Sequence, residues 1–152
     1  MIFEPKDSDF ERKVKDSFFR QPHMSFIGAK LITVKPGYCE IHLPYRNELS
    51  QQHGFFHAGV IGTIADTAGG YAAFSLMGAD SSVLSVEYKL NLMAPGDGEL
   101  LMGRASVIKH GRTLSVCRSD VFVIKNGIEK LCATALMTTM TMVGMADEPP
   151  VL

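Results

Sequence analysis

The chain of 152 residues contains no tryptophan, only three cysteines and almost no net charge. Its 15 basic and 16 acidic side chains give a formal charge of −1, whereas a general nucleic-acid-binding protein needs a basic surplus. The cysteines have no C-x-x-C spacing, and the pair His53-x-x-x-His57 has no third ligand type nearby in the sequence. We therefore expect no nucleic-acid partner, no metal site and no bound cofactor.

The sequence also lacks a secretory signal, because the N-terminus is charged from residue 4 onward and has no apolar core. This absence and the cysteine pattern predict a reduced, cytoplasmic environment. The one long apolar segment, residues 57–77, carries Asp66 at its middle, and a carboxylate there would cost roughly 2.5–3.5 kcal/mol at the centre of a bilayer. We interpret the segment as a buried helix and expect no membrane partner.

Hydrophobic periodicity predicts one helix and one hairpin in the N-terminal part of the chain. The helix covers residues 7–20, where Ser8-x-x-Glu11 has the form of a capping box, and Gln21-Pro22 ends it. The hairpin joins strands over residues 30–35 and 38–43.

Segments after the apolar helix alternate apolar and polar residues, which predicts four more antiparallel strands over residues 82–93, 99–109, 113–125 and 129–142. Asn126-Gly127 predicts a type I′ turn between the last two. In the first of these strands, alternation places Ser85 with Glu87 and opposite to Tyr88. The expected fold is α+β: a central helix wrapped by a curved antiparallel sheet of about six strands, plus a short N-terminal helix.

The domain organisation predicted from this pattern is an N-terminal helical segment at 1–24, a main domain at 25–142 and a frayed tail at 143–152. A helix that is apolar on every side must be covered on every side. Since one sheet covers only part of it, we expect a second subunit to cover the rest.

Asp66 and the start of the apolar helix are the candidate functional features. A carboxylate in a buried segment must be hydrogen-bonded, protonated or directed into a cavity, and a purely structural role in bonding loop amides remains an alternative. The helix start offers free N–H groups that can polarise a carbonyl. Ala58 and Asp66 are eight residues apart, about 12 Å along a helix, so one reacting carbonyl can reach both only if they come from different subunits.

The segment QQHGFFHAGVIGTIADTAGGYAA resembles the signature of the PaaI-type hotdog thioesterases, with His57-Ala58-Gly59 followed by Asp66 at the family's spacing. The resemblance covers about residues 25–142. It implies a hotdog fold, a homodimer or homotetramer with active sites at the subunit interface, and hydrolysis of acyl-CoA thioesters.

Carried over by position, the resemblance implies that Asp66 activates water or attacks directly, and that the backbone N–H of Ala58 polarises the thioester carbonyl. Gln51 stands where many relatives have an asparagine that assists that carbonyl, and Ser85 stands where some use a serine or threonine to orient the water. The catalytic set is completed by His57, at the start of the motif.

Substrate-binding residues are expected in two groups. The first group consists of Gly59, at the helix start, and of four residues expected to line an acyl pocket: Phe55, Phe56, Tyr71 and Phe74. The second is a basic turn that would bind the phosphates of CoA, formed by Lys109, His110 and Arg112 with Arg104 and Arg118 in adjacent strands. A non-catalytic acyl-CoA-binding module and a hotdog hydratase or dehydratase remain alternatives, and the choice between fatty and aromatic acyl groups stays open.

Overall fold

The structure is a computed structural model that describes residues 2–145 and residue 147. Its helices are α1 (Phe10–Arg20), α2 (Pro22–Ile27) and α3 (Ala58–Phe74), with a short 3-10 turn at Asn47–Leu49. Its strands are β1 (Lys30–Lys35), β2 (Tyr38–Pro44), β3 (Ser81–Leu92), β4 (Leu100–His110), β5 (Leu114–Lys125) and β6 (Ile128–Val143). Most of the predicted tail, residues 146 and 148–152, lies outside the described residues.

The six strands form one antiparallel sheet in the order β1-β2-β4-β5-β6-β3, which wraps around α3. The central helix contacts the sheet closely enough that a Cβ at Gly69 would overlap the sulfur of Met137 on β6. Ile64, Ala65 and Ala68 on the same helix have no solvent exposure. The predicted α+β hotdog fold is confirmed.

The turn between β5 and β6 also has the predicted geometry. Asn126 and Gly127 have φ values of 52° and 76°, as both central residues of a type I′ turn require. Asn126 is the one non-glycine residue in the described part of the chain with positive φ.

The predicted alternation along β3 is wrong in its first half because the strand contains a β-bulge. Ser85 pairs with Thr139 and Glu87 pairs with Thr138, so Val86 is the extra residue. An extra residue reverses the alternation beyond it. Ser85 therefore lies on the same helix-facing side as Tyr88, whose hydroxyl would be 3.4 Å from a Cβ at Gly62 of α3.

The N-terminal helix begins at Phe10 rather than at residue 7, and the predicted capping box is not formed. Asp9 occupies the N-cap position and makes no side-chain cap, while its own N–H donates to Asp7 Oδ1 at 2.9 Å. The chain then turns, and Pro22 starts α2, because proline is favoured at the first position of a helix.

Both N-terminal helices pack on the main body. Val14, Phe18, Met24 and Ile27 are buried in the same apolar cluster as α3 and the sheet. The second helix crosses the boundary predicted at residue 24. In the described part of the chain, none of the helices has the length and apolar character needed to cross a membrane.

Candidate active site

Ser85, on the edge strand β3, and Asp66 of α3 meet where the sheet ends beside the helix. Ser85 Oγ donates a hydrogen bond of 2.6 Å to Asp66 Oδ1, and both residues line a cavity of about 150 Å³. Asp66 is half-buried. A buried carboxylate was expected to be hydrogen-bonded, protonated or directed into a cavity. Asp66 is both hydrogen-bonded and directed into a cavity.

The far wall of this cavity contains Tyr71 of α3 together with Ser17 and Gln21 from the N-terminal region. Gln21 Nε2 donates to the Tyr71 hydroxyl at 2.6 Å, and Ser17 Oγ lies 3.1 Å from the same oxygen. Tyr71 is only 3% exposed, and its burial raises the pKa of the phenol to about 12. The wall thus presents a neutral phenol that two polar side chains hold in place. The amphipathic pattern of α1 contained no sign of this role.

The start of α3 is organised by His57, which occupies the N-cap position. Its Nδ1 accepts the N–H of Gly59 at 2.9 Å, and its own N–H donates to the carbonyl of Leu49 at 2.9 Å. The N–H of Ala58 has no acceptor among the described residues. It is therefore a free donor at the positive end of the helix dipole.

A second cavity of about 430 Å³ opens beside this helix start. Gln51, Phe55, Phe56 and Ala58 contribute to its lining, with apolar residues from the end of β3. The side-chain oxygen of Gln51 accepts the N–H of His53, which leaves the amide N–H groups of Gln51 available as donors. The cavity therefore combines apolar walls with two donors, the Ala58 N–H and the Gln51 amide.

The predicted catalytic residues are thus divided between two places on one chain. Asp66 and Ser85 line the smaller cavity, whereas Gln51 and Ala58 line the larger one. Because α3 is continuous from Ala58 to Phe74, Ala58 and Asp66 are separated by about 12 Å along its axis.

Of the predicted acyl-pocket residues, Phe74 is brought into neither cavity. Its side chain has no solvent exposure, and Lys13 Nζ lies 4.7 Å above its ring. Lys13 also donates to the carbonyls of Met77 at 2.7 Å and Gly78 at 3.0 Å, just beyond the end of α3. Phe74 and Lys13 therefore hold α1 against α3, away from Asp66.

The basic turn between β4 and β5 is smaller than predicted, because carboxylates neutralise both strand arginines. Arg104 pairs with Glu129 at 2.7 Å, and Arg118 pairs with Asp120 at 3.0 Å. At the turn itself, Lys109 and Arg112 are exposed and form no ion pair with any described carboxylate.

His110, the third residue predicted at this turn, is half-buried and does not present a free cation. Its Nδ1 lies 2.8 Å from Ser115 Oγ. Burial lowers the pKa of its imidazole, and the positive charge of Lys6 lowers it further. Positive charge at the turn is therefore carried by Lys109 and Arg112.

The described residues contain no group of three His, Cys, Asp or Glu side chains arranged to hold a metal ion. Cys39, Cys117 and Cys132 are separate, buried thiols. Burial raises the pKa of each thiol, which keeps all three protonated at neutral pH.

Comparison with known families places these features in context. The model of the family described as "Thioesterase superfamily" matches residues 53–130, which include Ala58, Asp66 and Ser85. The chain belongs to the thioesterase superfamily. The match does not extend to Ser17 and Gln21, so the polar wall of the smaller cavity comes partly from outside the shared region.

Solved structures of this superfamily share the whole architecture. A thioesterase family protein from Silicibacter pomeroyi is 46% identical, with a TM-score of 0.88 over 89% of this chain and 99% of that one. A thioesterase from Haemophilus influenzae is 20% identical and shares the fold, with a TM-score of 0.79 over 96% of this chain and 98% of that one. The E. coli PaaI protein from the phenylacetic acid degradation operon is 16% identical and shares the fold, with a TM-score of 0.80 over 91% of this chain and 97% of that one. The resemblance to PaaI-type hotdog thioesterases is thereby confirmed in superfamily and fold, and the thioesterase names support a hydrolase.

Proposed function

We propose that this thioesterase-superfamily protein hydrolyses acyl-CoA thioesters at active sites shared between two subunits. The observation that carries the proposal is the separation of the hydrogen-bonded Asp66 from the free N–H of Ala58 on a single helix. Two such helices, antiparallel across a two-fold axis, would bring Asp66 of one subunit to Ala58 of the other. The small cavity of one subunit would then join the large cavity of its partner.

In the proposed reaction, Asp66 acts as a general base on a water molecule. The water oxygen attacks the thioester carbonyl carbon while the Asp66 carboxylate takes its proton. The charge that develops on the carbonyl oxygen is stabilised by the Ala58 N–H and the Gln51 amide. The C–S bond then breaks, and the CoA thiolate takes the proton held by Asp66, which leaves CoA, the free acid and the Asp66 carboxylate restored. In the alternative mechanism, the Asp66 carboxylate attacks the carbonyl carbon directly and forms an anhydride, which water then hydrolyses. Kinetic measurements distinguish this mechanism from general base catalysis.

Three neighbouring residues would support this chemistry without reacting. Ser85 fixes one carboxylate oxygen of Asp66, which leaves the other oxygen for the water. His57 caps α3, which orients the Ala58 N–H, and Gly59 completes that cap. Because the Nδ1 of His57 accepts the Gly59 N–H, the proton of the neutral ring is on Nε2, and neither nitrogen is free to act as a base. The site therefore favours a thioesterase over a dehydratase that needs a histidine base.

The free edge of the sheet supports the shared arrangement. β3 is an edge strand of 12 residues, and Leu84, Val86, Tyr88 and Leu92 along it are each about half exposed. An exposed apolar edge strand is a template for pairing with a second chain. We infer that a second copy covers it, and that Lys109 and Arg112 bind the phosphates of CoA.

The test is the release of free thiol from a panel of fatty and aromatic acyl-CoAs, with Asp66→Asn compared with Asp97→Asn. Asp97 is a suitable control because its carboxylate contacts Lys125 at the surface. Asp66→Asn should lower kcat by roughly 1,000-fold or more at unchanged melting temperature, since general base catalysis and water positioning are lost together. Acyl-CoA binding without CoA release would indicate a binding module, and acyl-chain conversion without CoA release a hydratase.

A further inference from the structure

A row of polar side chains crosses the helix-facing side of the sheet. Thr139 of β6 pairs with Ser85 of β3 on one side and with Ser115 of β5 on the other. Ser115 pairs in turn with His110 of β4, and its Oγ lies 2.8 Å from His110 Nδ1. At the opposite end of the row, Ser85 donates to Asp66. Thr139 thus lies between two hydrogen-bonded pairs.

Thr139 is the one member of this row whose side chain has no hydrogen-bond partner. The residue has no solvent exposure, and its Oγ1 makes no hydrogen bond with any described residue. A buried hydroxyl without a partner costs free energy, whereas valine has almost the same shape and is at least as favourable in a strand. Valine would therefore suit the fold better, and the hydroxyl of Thr139 needs another explanation.

The pairing of the strands brings the side chains of Thr139 and Ser85 close together. The N–H of Thr141 donates to the carbonyl of Thr113, so alternate residues of β6, Thr139 among them, direct their backbone groups toward β5. Thr139 and Ser85 therefore form a non-hydrogen-bonded pair, the type in which the side chains are closer. The Cβ atoms of directly opposed residues are about 4.5–5.5 Å apart, and threonine and serine can form a hydrogen bond across this separation.

A rotation about χ1 of Thr139 would turn its hydroxyl toward Ser85. The hydroxyl and the methyl group of threonine have nearly the same size, so this rotation exchanges the two with little change in packing. Of the two neighbouring hydroxyls, Ser85 is the stronger acceptor, because its own proton is drawn toward the charged carboxylate of Asp66. Ser115 bonds a neutral imidazole instead, since burial lowers the pKa of His110.

We propose that Thr139 is a positioning residue, which donates its hydroxyl to Ser85 Oγ and thereby fixes the orientation of the Ser85–Asp66 pair. A bond donated to Ser85 Oγ strengthens the bond that Ser85 donates to the carboxylate, because hydrogen bonds in a chain polarise one another. One carboxylate oxygen is then fixed, while the other remains available for the water. The inference rests on the proposed acyl-CoA hydrolysis, in which Asp66 is the general base.

The experiment measures kcat and KM for CoA release, together with the melting temperature, in Thr139→Val and Thr139→Ser. Thr139→Val keeps the shape of the side chain and loses the hydroxyl. We expect kcat to fall by about three- to tenfold, as for one neutral hydrogen bond, with KM unchanged and no decrease in melting temperature. Thr139→Ser keeps the hydroxyl and loses a buried methyl group, so it should retain kcat within about twofold and melt at a lower temperature.

Ser119→Ala is the matched control, because Ser119 Oγ is as buried as Thr139 Oγ1 and likewise has no partner among the described residues. Ser119 lies opposite Ala105 and Ala135, outside the polar row. Since these neighbours carry no hydroxyl that could connect Ser119 to Asp66, Ser119→Ala should leave kcat unchanged.

A double variant tests whether Thr139 acts through Ser85. In the Ser85→Ala background the acceptor is removed, so the addition of Thr139→Val should lower kcat no further. The same fold-loss in this background as in the wild type would mean that Thr139 acts independently of Ser85, and it would overturn the proposal.

Two further results would also overturn it. One is a Thr139→Val enzyme with the kcat of the wild type. The other is an equal loss of kcat in Thr139→Val and Thr139→Ser, which would indicate that packing matters rather than the hydroxyl. Each of these results leaves wild-type hydrolysis intact. If instead the wild type released CoA from no acyl-CoA in the panel, the proposed function would fail, and this inference with it.

Discussion

The hydroxyl of Ser85 donates to the carboxylate of Asp66 across 2.6 Å because β3 bulges at Val86. A regular strand with Tyr88 facing α3 would direct Ser85 to the outer face of the sheet. Bulges occur near active sites, where they redirect a side chain. Here the bulge fixes the rotation of a carboxylate that would otherwise turn freely in its cavity.

Ser85→Ala should lower kcat by roughly 10–100-fold with little change in KM, because the carboxylate loses its fixed orientation but keeps its charge. Ser85→Thr should retain most of the activity, since it keeps the hydroxyl. Ser106→Ala, at an exposed strand position of β4, is the control. Equal activity of Ser85→Ala and wild type would mean that the hydrogen bond is structural only.

Ala58→Pro removes the backbone N–H proposed to polarise the carbonyl, and it should do so without damage to the fold. Proline is favoured at the first position of a helix, and the preceding His57 already has the extended conformation, φ −63° and ψ 141°, that proline requires. We expect kcat to fall by about 100- to 1,000-fold, as for the loss of one oxyanion donor. Ala58→Gly, which keeps the N–H, should stay near wild-type kcat; a fully active Ala58→Pro enzyme would contradict the assigned role.

A mixing experiment tests whether the site is shared. Asp66→Asn and Ala58→Pro subunits should each have little activity alone, but a hybrid dimer would contain one site with both groups intact. Random mixing should restore about a quarter of wild-type activity, since half of the dimers are hybrids and each has one working site of two. Recovery is measured after the two proteins are unfolded and refolded together. No recovery, with hybrids verified by differential tagging, would place both groups in one subunit.

His110 should make the stability of the protein fall at acidic pH. Burial lowers the pKa of its imidazole below the ordinary value of 6.5, so the unfolded chain binds the proton more readily than the folded chain. The contribution of neutral His110 is present above pH 6.5 and is lost as the pH falls through 6.5 towards the lower folded-state pKa. Denaturant unfolding of His110→Gln should show a flatter decline between about pH 7 and 5. His23→Gln on α2 is the control, and parallel curves for wild type and His110→Gln would contradict this prediction.

The sequence predicted best those features that depend on local signals. The hairpin at residues 30–43 and the Asn126-Gly127 turn follow from neighbouring residues. The central helix and its one carboxylate follow from an apolar segment interrupted by Asp66. Each of these predictions needed no knowledge of distant contacts.

Features that depend on packing were not predictable in the same way. The residues around Val86 alternate regularly, so nothing local marks the bulge, which arises from the pairing of β3 with β6. Pro22 is compatible both with the end of one helix and with the start of another. Arg104 reads as a free charge until the sheet brings Glu129 beside it. The Arg118–Asp120 pair is different, because both residues lie two positions apart on β5 and alternation alone places them on one face.

Lys13 takes no part in the chemistry, yet its ammonium group fastens α1 to the carbonyls that follow α3. The polar wall of the Asp66 cavity therefore depends on the position of α1, which is held in place at a point remote from the reacting atoms. A small change at this anchor would tilt α1 and reshape the cavity while the catalytic strand and helix stayed in place. Substrate choice and catalytic power could then diverge separately during evolution.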